Sequence, residues 1–184
     1  MKKDNTYYLI RDILSCFPTT VSENLVNTLN THLIAKERIF KIIKDESESK
    51  KPDYHVLSGA LITLNAFLRQ FPRTAFYEVI EVLLVAKNLY LKDKRKTIRG
   101  LSGEFILRLF LTLYHESCLI KKSEAVKYYQ RFKKIIPKKE MNSIYDSKDL
   151  RTPIYYIFHE HGFELGMLDE RIKMIKGIIG KFYK

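Results

Sequence analysis

Glycine and proline are scarce, seven and five in 184 residues. That leaves few positions for the tight turns an all-β chain requires. Cysteine occurs only at Cys16 and Cys118, far apart and each inside an apolar helical pattern. This reads as two buried thiols of a reducing, cytoplasmic compartment. There is no Cys-x-x-Cys pair, no glycine-rich phosphate loop and no serine or cysteine nucleophile signature, so no cofactor or metal is expected. Long apolar runs are missing as well. The longest, Phe105 to Tyr114, is interrupted by Arg108 and is too short to span a bilayer. Met1-Lys2-Lys3-Asp4-Asn5 is not followed by the apolar stretch of a signal peptide.

What the chain does have is apolar content and positive charge. With 46% hydrophobic and 29% charged residues it reads as globular, one domain over 1–184 with a sizeable core. A net charge of +12 and a pI near 9.6 make polyanions the first partner class to consider. The cations are clustered. Lys92, Lys94, Arg95, Lys96 and Arg99 precede a nearly all-apolar segment, Phe105 to Leu119. Lys121, Lys122, Lys127, Arg131, Lys133, Lys134, Lys138 and Lys139 follow it, with Glu124 the only carboxylate among them. A field left uncancelled locally is either solvated or meets an acidic partner.

The apolar periodicity is helical throughout. Tyr7, Leu9, Ile10, Ile13, Leu14 and Phe17 fall at helical spacing before Pro18; Thr20-x-x-Glu23 has the capping-box form and opens a helix that runs to about Lys44. Asp45 to Asp53 has no apolar residue except its proline and is expected to be a mobile surface loop. Leu57, Leu61, Leu64, Phe67, Leu68 and Phe71 form one stripe ended by Pro72. Phe76 to Leu91 should be its antiparallel hairpin partner, and Phe105 to Leu119 a helix buried between others. Ser123 restarts a helix that Pro137 stops; Thr152-Pro153 opens another that Gly162 ends, and a last helix carries Leu168, Ile172, Ile175, Ile178, Ile179 and Phe182. The expected class is all-α: antiparallel helical hairpins forming a HEAT-like α-solenoid or a compact helical bundle.

The order of features from Leu57 to Ile136 resembles the middle domain of eukaryotic initiation factor 4G, a HEAT-type module shared with nonsense-mediated-decay scaffolds and the large cap-binding subunit. The residues that carry the likeness are Lys94-Arg95-Lys96-Thr97-Ile98-Arg99 as a basic turn, the helix Arg108 to Ile120, a further helix from Ser123, and Tyr156 to Gly162 as a short glycine-ended helix. His115-Glu116-Ser117 stands where the family has a small or apolar position before glycine. The resemblance implies an RNA- or ribonucleoprotein-binding helical scaffold acting in mRNA translation or decay.

Catalytic and metal patterns compete with that reading. Arg108-x6-His115 has the Arg-x(4–6)-His spacing of helical ribonuclease domains of the HEPN type, which it also resembles. His115 would then be the general acid or base and Arg108 the phosphate stabiliser. Glu104, Arg108, Thr112 and His115 or Glu116 equally make one polar stripe on a helix, with Glu104 and Arg108 an ordinary i,i+4 pair. His159 and His161 lie two apart and face different sides of a helix, a poor metal pair. Tyr128, Tyr129 and Phe132 interleave with Lys127, Arg131, Lys133 and Lys134, so the rings could stack bases or be core. The C-terminal stripe of Arg171, Lys173, Lys176, Lys181 and Lys184 could lie on an anionic membrane. The favoured reading is a non-enzymatic scaffold docking RNA on Lys94, Arg95, Lys96, Arg99, Lys127, Arg131, Lys133, Lys134, Lys138 and Lys139. The alternatives are the ribonuclease and a regulatory or immunity protein whose basic face meets an acidic protein.

Overall fold

The computed structural model of the chain describes residues 5–16, 33–70, 79–116, 122–150 and 168–184, with the single positions 27, 154 and 157. Among the described residues there are eight α-helices and no strand: α1 (Asn5–Cys16), α2 (Leu33–Glu48), α3 (Tyr54–Gln70), α4 (Leu83–Lys92), α5 (Lys96–Glu116), α6 (Lys122–Ile135), α7 (Lys138–Asp146) and α8 (Leu168–Phe182). A 3-10 turn, Ile80–Val82, leads into α4, and another, Lys148–Leu150, follows α7. The all-α expectation holds. The Thr20–Glu23 capping box, the Thr152-Pro153 start, the Tyr156–Gly162 helix with its two histidines (Ile157 apart), and Cys118 lie outside the described residues.

Helix α5 organises the rest. Ile98, Phe105, Ile106, Leu107, Leu109, Phe110, Leu111 and Leu113 are all buried, covering every side of the helix. An element apolar all round needs partners on several sides. Helices α3 and α4 supply the two largest interfaces, and α6 and α7 add smaller ones. This corrects one expectation. Among the described residues α3 and α4 pack chiefly on α5 rather than directly on each other. The short 93–95 connection makes the hairpin α4–α5 instead.

Two crossings depend on glycine. A Cβ on Gly59 of α3 would stand 2.7 Å from the backbone oxygen of Leu14, so α1 crosses α3 at backbone contact. A Cβ on Gly103 of α5 would stand 2.6 Å from Leu150 Cδ1 and 3.1 Å from the Tyr90 ring.

The acidic segment 45–53 behaves differently from the loop expected there. Helix α2 continues through Glu48, so the connection is only 49–53. The Tyr7 hydroxyl donates to Asp45 Oδ2 at 2.8 Å, Arg11 Nε to Glu46 Oε1 at 3.1 Å, and the Asp53 amide to Glu46 Oε2 at 2.7 Å. Glu46 is buried with both oxygens engaged. Asp53 then accepts from the amides of His55 and Val56, capping α3. Polar residues here are tertiary partners rather than solvated loop.

Candidate nucleic-acid interface

Helix α8 packs against α7 and sets its aromatic side against the rings of α6. Phe132 is fully buried; Phe182 meets Phe110, Tyr129 and Phe132 edge-on, with ring centroids 4.9, 5.2 and 5.7 Å away. The Tyr129 hydroxyl donates to the Leu113 carbonyl at 2.6 Å, and the Tyr183 hydroxyl to the Ile136 carbonyl at 2.5 Å. The burial that holds Tyr183 in place also pushes its phenol pKa well up. The aromatics that the sequence offers as base-stackers are thus core or half-buried, and the cations of α6 take the outer side.

Residues 122–150 and 168–184 carry thirteen Lys and Arg against six Asp and Glu. The structure divides the cations by availability. Arg131 is taken: its Nη1 and Nη2 donate to Glu81 Oε1 and Oε2 at 2.6 and 2.7 Å. That fork holds the Glu81 carboxyl below the usual range and raises the guanidinium. Glu140, at the start of α7, is drawn inward by Lys87 at 2.8 Å, and the same ammonium donates to the Ile135 carbonyl at 2.8 Å. Glu140 therefore does little to offset its neighbours. Lys127, Lys134, Lys138 and Lys139 are exposed. Lys133 is half-buried, with Nζ 5.2 Å from the Phe182 ring centroid and 5.9 Å from that of Tyr183.

The first basic run sits at a different corner, the α4–α5 turn. The Asp93 carboxylate accepts from the Arg95 amide at 2.8 Å, and the Arg95 guanidinium stacks 3.5 Å over the Tyr54 ring of α3. Arg99 Nη1 donates to the carbonyls of Asp93 and Lys94 at 3.1 and 2.9 Å, closing the turn. Arg95, though exposed, and Arg99 thus each also make contacts within the protein. Lys94 and Lys96 remain on the surface, and Lys96 to Arg99 are the first turn of α5 rather than a turn before it.

Between α6 and α8 lies a groove of about 380 Å³ lined by Tyr114, Val126, Tyr129, Gln130, Lys133, Lys181 and Phe182. The sequence pattern flagged its lysines but not Val126 and Gln130. Nothing in spacing alone sets those two beside α8.

Arg108 stands elsewhere. It is buried, with Nε donating to Glu104 Oε1 at 2.9 Å, and it lines a cleft of about 250 Å³ between α3 and α5 with Asn65, Arg69 and Gln70. The Asn65 amide is spent on the Leu101 carbonyl at 3.1 Å. Position 115 lies seven residues further along the same face of α5, about 10 Å up the axis; the His115 side chain lies outside the described residues. Among the described residues no group of three His, Cys, Asp or Glu could hold a metal ion, and no helix is long and apolar enough to cross a membrane. Comparison with protein-family profiles, curated proteins and solved structures finds no match for the chain.

Proposed function

We propose that the protein is a non-enzymatic helical scaffold that binds RNA through the cationic face of α6, α7 and α8. The observation that carries this reading is the exposure of Lys127, Lys134, Lys138 and Lys139 with no carboxylate partner among the described residues, while the nearby acids Glu81 and Glu140 are committed to Arg131 and Lys87. Exposed ammonium groups on packed helices are what phosphate neutralisation requires, and each phosphate engaged releases condensed counterions. The consecutive α2–α3 and α4–α5 hairpins support the HEAT-like reading of the scaffold. Arg108 favours a structural over a catalytic part, being buried and ion-paired to Glu104.

The test is binding of unrelated RNA sequences to wild type and to a variant with Lys127, Lys134, Lys138 and Lys139 replaced by Gln. The variant should lose affinity about equally for every sequence, and the log–log salt slope should fall by roughly 0.7–0.9 for each phosphate no longer neutralised. Equal affinity and slope in both proteins would overturn the reading.

A further inference from the structure

Resting on that RNA-binding reading, we infer that the groove between α6 and α8 accepts one unstacked base of single-stranded RNA, with Lys133 and Lys181 holding the phosphates on either side. The groove floor is aromatic, from Tyr129 and Phe182, and its volume of about 380 Å³ falls in the range of pockets that enclose small ligands, about 300–1,000 Å³. The floor is also rigid. Tyr129 is tied through its hydroxyl to Leu113, and Phe182 is wedged edge-on against Phe110 and Phe132. A base seated there meets rings that are already fixed.

The walls supply charge on both sides from different helices, Lys133 on α6 and Lys181 on α8. The Lys133 ammonium rests over the Phe182 and Tyr183 rings. That interaction is weaker than a charge-assisted bond to phosphate. A nucleotide arriving at the groove can therefore draw Lys133 off the ring, and the uncovered apolar surface then meets the base. Val126 stands exposed at the rim, a large aliphatic group facing solvent where a base would cover it. Gln130, also exposed, can donate to or accept from a base edge. A duplex offers the same phosphates but keeps its bases stacked inside, so it reaches the lysines and not the floor.

The experiment compares a short oligoadenylate with a blunt RNA duplex of equal phosphate count, by fluorescence anisotropy at one salt concentration, for wild type and Val126→Lys. Val126 is exposed, so the variant should fold, which circular dichroism checks. Wild type should bind the single strand about tenfold more tightly than the duplex, the worth of one stacked base. In Val126→Lys the lysine stem fills the groove mouth. Single-strand affinity should fall about tenfold while duplex affinity holds or rises with the added charge. Equal affinity for both RNAs in wild type, or tighter binding of both by Val126→Lys, overturns the groove inference and leaves the cationic-face reading standing. Salt-dependent binding of neither RNA overturns both. Saturable capture of an acidic helical peptide that Val126→Lys abolishes, with no single-strand preference, reassigns the groove to a protein partner.

Discussion

Replacing Gly59 by alanine should gain nothing or destabilise the protein, whereas the same change at Gly100 should stabilise it. In a helix interior, glycine to alanine by itself gains about 1 kcal/mol, because alanine loses less backbone entropy. At Gly100 nothing lies within 4 Å of the added methyl, so most of that gain should be realised. At Gly59 the methyl would meet the Leu14 backbone oxygen at 2.7 Å and the Leu14 Cβ at 3.3 Å. A helical carbonyl cannot rotate away, so α1 must retreat by several tenths of an ångström. Its anchors Tyr7 and Leu14, both buried, would loosen. Overpacking of this kind costs about 1–3 kcal/mol, which cancels or exceeds the propensity gain. The two variants should differ by about 1–3 kcal/mol, or roughly 3–10 °C in midpoint for a chain of this size. Urea and thermal unfolding followed by circular dichroism measure the difference. A Gly59→Ala protein as stable as Gly100→Ala would refute the close α1–α3 crossing.

Leu64→Ala and Leu113→Ala remove buried side chains facing the α3–α5 core, and each should cost about 2–5 kcal/mol in the same assay. Glu46→Ala strips two hydrogen bonds from Arg11 and the Asp53 amide; it should cost about 2–4 kcal/mol and open the 49–53 connection to limited proteolysis. The Arg131 fork lowers the Glu81 pKa, so its contribution is complete above the unfolded carboxylate range, about pH 4–5, and lost as pH falls through the lowered value. Both side chains are well exposed, 43% and 59%, so Glu81→Gln should cost under about 1 kcal/mol at neutral pH, and the cost should vanish once acid has protonated the carboxylate. A deficit that persists in acid would contradict the pairing.

How far the sequence is readable depends on the range of the interactions. The apolar stripe from Leu57 to Leu68 and the all-round apolarity of Phe105 to Leu113 reflect local period, and both survive as α3 and the central α5. The start of α5 was hidden by charge: Lys96 and Arg99 look like a turn, yet Ile98, Ser102 and Phe105 are the buried face of a continuous helix. Ser102 and Gly103 mark a surface by type and a close crossing by position, which only Leu150 and Tyr90 reveal. Asp45 and Glu46 read as loop because their partners, Tyr7 and Arg11, lie more than thirty residues away. The basic site shows the same division. Its charge was visible in composition, but the removal of Arg131 by Glu81, fifty residues upstream, and the stacking of Arg95 on Tyr54 of α3 are tertiary facts.

That division can be measured directly through the salt dependence of RNA affinity in wild type, Lys134→Gln and Arg131→Gln. Both substitutions remove one positive charge from α6, so charge count alone predicts the same effect. With the exposed lysines engaging the phosphates, Lys134→Gln should lower the log–log slope by roughly 0.7–0.9 and Arg131→Gln should leave it nearly unchanged. Equal slopes for the two variants, or a wild-type protein whose RNA affinity ignores salt, would contradict the account.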